Sequence, residues 1–351
     1  MWTLFALAAC QEPFGTDRHD LTGFRIAAVA LPAAAPGDPV RPRAALIVDG
    51  RPWSETAVDL RWTWLADPDA LATLDPDAPA DGVGPAPVLT LPADRPILGL
   101  VARQGARVAR AYAAIPPPAE PLPPLPPPEI AALPLTVGEV TAEQLQRDAR
   151  LDLTGADGPV APGGFARFTA PAEGDPLVRW MATAGTFFEL DRQRTDWAAG
   201  DLWLDGDEID DETVPREDLP PGWVTVLALA LGDGGEGSDR EAPSQTTFAA
   251  RDLAVGLPDP VGVWVAGRFL PSDAPPPAAE QLRGTLQADD DAPSGLRLVG
   301  LAAEPLGTPG PDLPCDPPLA LPFDPAVLLD QRCSRAALDG AEVTVIPADP
   351  R

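Results

Sequence analysis

The stretch Val58-Asp-Leu-Arg-Trp-Thr-Trp-Leu65 decides the fold class of this chain. Apolar and polar residues alternate along it, so Val58, Leu60, Trp62 and Trp64 share one face of an extended strand. The stretch therefore predicts a β-strand that covers a buried core with two tryptophans.

Comparable apolar stretches divided by turn residues recur along the whole chain. The sequence contains 48 Pro and 31 Gly in 351 residues. Proline is excluded from helix interiors and from central strands, so this content favours short elements joined by many turns. We predict an all-β protein with strands at residues 24–31, 43–48, 58–65, 86–91, 97–102, 108–112, 165–169, 177–182, 185–190, 223–231, 246–253, 262–270, 281–286, 295–301 and 341–346.

Proline runs and composition divide the chain into three domains. Residues 23–115 and 129–256 form the first two, and residues 257–351 form a smaller third. Between the first two, residues 116–128 hold nine prolines in thirteen positions, which predicts a semi-rigid polyproline II spacer of roughly 40 Å. One short helix is predicted at residues 141–148, where Thr141 and Gln144 fit a capping box.

A tryptophan in the second domain carries a resemblance to a known fold. Val178-Arg-Trp-Met-Ala-Thr-Ala-Gly-Thr-Phe187 is followed by a long apolar strand and by Gly232-Asp-Gly-Gly235. This pattern resembles immunoglobulin-like domains of bacterial surface proteins, in which a strand tryptophan packs between two sheets. The resemblance implies that Trp180 is that core residue and that Trp62 or Trp64 is its counterpart. We expect two immunoglobulin-like β-sandwich domains and a small C-terminal β-barrel or partial sandwich.

The first ten residues carry a second resemblance. They form an apolar run that ends in Leu7-Ala8-Ala9-Cys10, which resembles the lipobox of bacterial lipoproteins. The resemblance implies that residues 1–10 contain the lipoprotein signal peptide, that Cys10 is lipidated and that residues 11–22 are a tether. Because Gln11 is not the aspartate associated with inner-membrane retention, the same family favours the outer membrane, on its periplasmic or surface face.

The cysteine count agrees with export. If Cys10 carries lipid, Cys315 and Cys333 remain, 18 residues apart in a proline-rich stretch. A disulfide between them is predicted, since such bonds persist in oxidising compartments. The alternative is two unrelated buried thiols.

Charge and residue types exclude several functions. The net charge is −28, which opposes binding to nucleic acid. The sequence has no lysine, which rules out Schiff-base and P-loop lysines, and His19 is its one histidine. No nucleophile, zinc or dinucleotide motif is present. The sequence therefore favours a protein that is not an enzyme.

An acidic run offers one weak candidate for a metal site. Asp205, Asp207, Asp210 and Asp211 could supply carboxylate oxygens to calcium, although a disordered acidic loop is the simpler explanation of the run. No other cofactor is expected. The resulting hypothesis is a lipid-anchored envelope or surface protein that binds, adheres to or scaffolds an unknown protein or glycan partner. A secreted carboxylate-dependent hydrolase and a calcium-dependent binding module stay as alternatives.

Overall fold

The structure is a computed structural model, and it confirms the prediction of an all-β sandwich protein. Its strands are antiparallel in every named sheet. The residues that it describes are 23–31, 34–48, 58–94, 97–114, 130–136, 154–155, 159–170, 177–188, 192–200, 219–232, 245–258, 260–308, 310, 312–313, 315 and 333–347.

The first unit packs a two-stranded sheet against a four-stranded one. The pair β1-β3 faces the sheet β5-β4-β7-β8, and a short pair, β2-β6, lies beside them. Trp62 on β4 is fully buried, and its indole N–H donates to the carbonyl of Gly84 at 2.8 Å. The strands are β1 (Phe24–Ala30), β2 (Pro39–Val40), β3 (Arg43–Val48), β4 (Asp59–Leu65), β5 (Gly82–Val83), β6 (Leu89–Thr90), β7 (Ile97–Gln104) and β8 (Arg107–Ala114).

The second unit has the strand order of a constant-type immunoglobulin sandwich. One sheet has the order β10-β9-β11-β14-β13 and the other β12-β15-β16. Apart from the short β10, these are the first, second, fifth and fourth strands against the third, sixth and seventh. The strands are β9 (Ala131–Thr136), β10 (Thr154–Gly155), β11 (Phe165–Thr169), β12 (Leu177–Ala182), β13 (Thr186–Phe187), β14 (Arg194–Ala198), β15 (Gly222–Gly232) and β16 (Gln245–Val255).

The core of the second unit confirms the predicted role of Trp180. This residue lies on the third strand and is fully buried, with its ring centroid 5.7 Å from that of Phe168. Its indole N–H donates to the carbonyl of Arg192 at 2.6 Å, so the polar end of the ring is satisfied inside the core. Trp197 is also fully buried and crosses Phe168 edge to face.

The described strands of the third unit form an open sheet and a hairpin, which corresponds to the partial sandwich. The sheet has the order β20-β19-β21, and the hairpin is β17-β18. A short helix, α1, is capped by the Ser334 side chain, which accepts the Ala337 N–H at 3.2 Å. The elements are β17 (Gly262–Val265), β18 (Arg268–Pro271), β19 (Gln281–Ala288), β20 (Leu296–Glu304), α1 (Arg335–Leu338) and β21 (Glu342–Val345).

One predicted strand is wrong, because residues 262–270 form the two strands of that hairpin. The chain reverses at Ala266 and Gly267, whose φ angles are +47° and +79°. Two consecutive left-handed residues are what a tight two-residue hairpin turn requires. The alternating apolar residues on either side made the stretch resemble a single strand. The predicted helix at 141–148 lies outside the described residues.

The three units pack against one another through the sheet β12-β15-β16, which we call the central sheet. Along β15, the side chains of Val224, Val226 and Ala228 point into the core of the second unit. Leu227 and Leu229 point outward and pack against the first unit. This double burial explains why residues 226–230 of β15 are all apolar. The linker 116–128 lies outside the described residues, but the units that it joins are in contact and are not held roughly 40 Å apart.

Candidate functional site

The outer face of the central sheet is the candidate site, because two neighbouring units dock on it. Near the carboxyl end of β15, the first unit covers this face with small and aliphatic side chains. The contact buries four residues of the first unit, Ala28, Ala30, Ala45 and Ile47, against Met181, Leu227, Leu229, Phe248 and Ala250 of the second.

Toward the other end of β15, the hairpin β17-β18 of the third unit covers the same face. Asp252 on β16 and Arg268 on β18 are both fully buried there. The Arg268 Nε lies 3.0 and 2.9 Å from the two carboxylate oxygens of Asp252. The pair therefore joins two units across a contact from which water is excluded.

Two further donors complete the surroundings of the Asp252 carboxylate. The Thr225 hydroxyl donates to Oδ1 at 2.9 Å, and the Phe269 backbone N–H donates to Oδ2 at 2.8 Å. Thr225 faces Asp252 across the β15-β16 ladder. Strands β15 and β18 thus contribute three donors to one carboxylate, inside a contact that solvent does not reach.

Arg268 is less well satisfied than its partner. Its Nη1 and Nη2 atoms are buried and have no hydrogen-bond partner among the described residues. Buried N–H donors without acceptors are costly, and a buried ion pair gains net stability only when both partners are fully hydrogen-bonded. The electrostatic part of this junction is therefore not built for maximal stability.

An aromatic cluster lies beside the ion pair and supplies apolar contact. The rings of Trp223 and Phe269 are stacked, with centroids 4.7 Å apart and planes 20° apart. Trp264 packs on Phe269 with its centroid at 5.0 Å. The structure places Trp223 and Trp264 half-buried between two units.

A second arginine reinforces the same edge of the central sheet. Arg251 Nη1 donates to the Ile130 carbonyl at 2.6 Å, and its guanidinium lies 5.9 Å from the centre of the Trp264 ring. Burial lowers the pKa of Arg251 below its ordinary value, because it penalises the charged guanidinium, and the charge of Asp252 opposes that shift.

The turn between β17 and β18 permits the close approach of the hairpin. A side chain at Gly267 would meet the Ala250 carbonyl at 3.0 Å, and the Asp252 N–H donates to the Gly267 carbonyl at 2.9 Å. Glycine at this position therefore allows the third unit to form a backbone hydrogen bond with the central sheet.

The sequence analysis did not single out Asp252 and Arg268. The signal is present, because Arg251 and Asp252 interrupt an apolar run in a strand that ends at Val255. Charged residues in the middle of such a strand are either solvent-facing or paired in the interior. The partner could not be identified, since residues 262–270 read as one strand and Arg268 lay inside it.

The predicted disulfide is compatible with the structure. Cys315 and Cys333 are bonded, with their Cα atoms 4.6 Å apart. Both are buried in the apolar core of the third unit, beside Leu313 and Leu338. The bond therefore holds the two ends of the segment between Cys315 and Cys333 in the same core.

The other predicted site residues lie outside the described residues. This applies to Cys10 and to the four calcium candidates Asp205, Asp207, Asp210 and Asp211. The part of the chain that the structure describes contains no group of three or more His, Cys, Asp or Glu residues that could hold a metal ion. Calcium binding by the acidic run stays a prediction.

On the outside of the first unit, three arginines hold a loop against the sheet β5-β4-β7-β8. Arg103 pairs with Asp77 at 2.7 Å, Arg110 donates to the Leu74 carbonyl, and Arg61 donates to the Ala78 carbonyl. The loop begins with a 3₁₀ turn at Pro68–Leu71. These contacts are largely exposed, so we expect each to add little stability.

Comparison with known proteins adds no family to this description. No protein-family model and no curated protein sequence matches the chain. Within the described residues, no helix has the length and apolar character needed to cross a bilayer. The fold defines the class of protein, an all-β chain of packed β-sandwiches with a smaller third unit.

Proposed function

We propose that this chain is a lipid-anchored protein of the bacterial outer membrane that acts as a binding, adhesion or scaffold module and not as a catalyst. The observation that carries the proposal is the division of the three cysteines. Cys315 and Cys333 bond to each other in the core of the third unit, and Cys10, in its lipobox-like sequence setting, is the remaining cysteine of the three.

Two properties support a role in binding or scaffolding. The one fully buried carboxylate among the described residues, that of Asp252, is surrounded by donors and holds two units together. The units are in contact along one sheet, so they can present a partner with a surface of fixed geometry. The net charge of −28 supports a protein or glycan partner over nucleic acid.

The anchor is tested by labelling with an alkyne-bearing fatty acid in a bacterial host. We expect the wild-type chain to be labelled and a Cys10→Ala variant to lose the label, because the acyl chains are attached through that residue. The matched control replaces Cys315 and Cys333 together with alanine, which leaves Cys10 in place and should retain the label. Equal labelling of the wild type and Cys10→Ala would refute the anchor.

The absence of lysine gives an independent test of the amino terminus. The α-amino group is the only primary amine in the polypeptide, so an amine-reactive reagent can modify one position at most. We expect protein extracted from membranes to begin at Cys10 and, if it is N-acylated, to take up no reagent. Cytosolic protein that begins at Met1 and takes up one equivalent would contradict the proposal.

Export is tested by counting thiols in denatured protein. We expect no maleimide-reactive thiol in the mature wild-type chain before reduction and two after it. Two or more reactive thiols before reduction would contradict an oxidising location.

A further inference from the structure

We propose that the Asp252–Arg268 ion pair is a positioning device, which fixes the orientation in which the third unit docks on the central sheet. This inference does not depend on the lipid anchor. It rests on the position of the pair, on its incomplete hydrogen bonding and on the contacts beside it.

The position of the pair allows it to fix how β18 lies on β16. The Asp252 carboxylate binds the Arg268 side chain and the Phe269 backbone N–H at the same time. Two donors from adjacent residues of one strand, held by one carboxylate, specify both the position of β18 along β16 and its angle. A displacement by one residue would leave a buried carboxylate and a buried guanidinium without partners.

The hydrogen bonding of the pair argues against a purely stabilising role. Arg268 Nη1 and Nη2 have no partner among the described residues, although the side chain is fully buried. A pair of apolar side chains of similar volume would avoid this cost. Specifying one geometry is the best-attested benefit of buried polar groups that reduce stability.

The neighbouring contacts supply attraction without the same directional control. Trp223, Phe269 and Trp264 form a cluster of stacked and tilted rings. Aromatic contacts tolerate several offsets, whereas a carboxylate that accepts from three groups does not. The cluster therefore holds the third unit against the second, and the ion pair selects the orientation.

The test is hydrogen exchange measured by mass spectrometry on the full chain, in the peptide that covers residues 262–271. Asp252→Asn keeps the shape of the side chain and leaves the Arg268 charge unpaired. We expect exchange in this peptide to be about 100-fold faster or more, because removing one partner of a buried pair is strongly destabilising. Exchange in β11 and β14 should stay within about threefold of the wild type, since these strands belong to the core of the second unit and not to the junction with the third.

A second variant separates positioning from stability. Asp252→Asn combined with Arg268→Met removes both charges, fills the site and keeps an oxygen that accepts the Phe269 N–H. We expect a thermal midpoint well above that of Asp252→Asn alone, because no unpaired charge stays buried, together with hairpin exchange that is about tenfold or more faster than in the wild type. Wild-type exchange in the double variant would overturn the proposal, because the docking would then be fixed without the ion pair.

The chain offers a matched control in the pair Arg167–Asp196. These residues are the same two types, joined at 2.7 Å, but they lie on neighbouring strands of one sheet and are partly exposed. Asp196→Asn should leave exchange at residues 262–271 unchanged. Equal acceleration in the hairpin by Asp196→Asn and Asp252→Asn would also overturn the proposal.

Discussion

The two junctions on the central sheet join units by different chemistry. The first unit docks through Ala28, Ala30, Ala45 and Ile47, and its Arg43 guanidinium lies 4.9 Å from the centre of the Phe248 ring. The third unit docks through a fully buried ion pair and three aromatic rings. Small side chains allow two sheets to approach closely, and the shape of the contact determines how the units fit. At the other junction, the directions of the hydrogen bonds to the ion pair determine the orientation of the third unit.

The difference also separates how each junction should fail. An apolar contact loses stability in proportion to the cavity or the strain that a substitution creates. A buried ion pair loses most when one partner is removed and little when both are replaced. Substitutions at the two junctions can therefore be compared directly.

The largest effect is expected for Arg268→Ala, which leaves the Asp252 carboxylate buried without its cation. We expect the free energy of unfolding to fall by about 3–5 kcal/mol in urea denaturation followed by tryptophan fluorescence. The control Arg167→Ala, at a partly exposed pair, should lose about 1 kcal/mol or less. Similar losses in the two variants would show that the junction pair has no special role.

Reduction of the Cys315–Cys333 disulfide should have the next largest effect. Their 18-residue separation predicts a loss of about 3 kcal/mol from the third unit, because the reduced chain regains loop entropy when it unfolds. Hydrogen exchange should rise in β19 and β21 and stay unchanged in β1 and β3. Faster exchange in β1 and β3 as well would contradict the expectation that the two junctions respond independently.

The junction between the first and second units is sensitive to side-chain size. Ala45 is fully buried there, so Ala45→Leu should overpack the contact and reduce stability by about 1–3 kcal/mol. The exposed control Ala302→Leu should change stability by less than about 0.5 kcal/mol. An unaffected Ala45→Leu variant would mean that the two units do not pack at this point.

The smallest effect is a gain in stability in the hairpin turn. Ala266 has a φ of +47°, which alanine adopts at a cost, whereas asparagine followed by glycine is favoured in such turns. Ala266→Asn should therefore raise the thermal midpoint by a few degrees, equivalent to about 0.5–1 kcal/mol. The control Ala106→Asn, in a turn where alanine has no positive φ, should leave the midpoint unchanged.

Much of the fold could be predicted from local alternation. The strands at residues 43–48, 165–169 and 177–182 were predicted with the bounds that the structure gives. Each alternates or continues apolar residues between clear turn signals. Three strands of two residues each, β2, β5 and β10, were missed, as were two longer ones: β9 contains Pro134, and β14 is a five-residue strand with three polar side chains. Neither has the apolar periodicity on which the prediction depends.

The junctions could not be predicted, because they depend on contacts between distant segments. In the sequence Leu227 and Leu229 are simply part of an apolar strand, and only the three-dimensional structure shows that they face another unit. Asp252 and Arg268 are 16 residues apart, but the turn at Gly267 that brings them together was read as part of a strand. The site is therefore defined by packing between distant segments and not by a sequence motif.

The central claim is that one sheet of the second unit carries both neighbours in direct contact. Small-angle X-ray scattering of a full chain carrying Cys10→Ser, which removes the lipid site, tests it most directly. We predict a pair-distance distribution with one broad maximum and a radius of gyration near that of a packed chain of this length, roughly 20–25 Å. A distribution with a separate second maximum, produced by a first unit held roughly 40 Å away by an extended proline linker, would contradict the account.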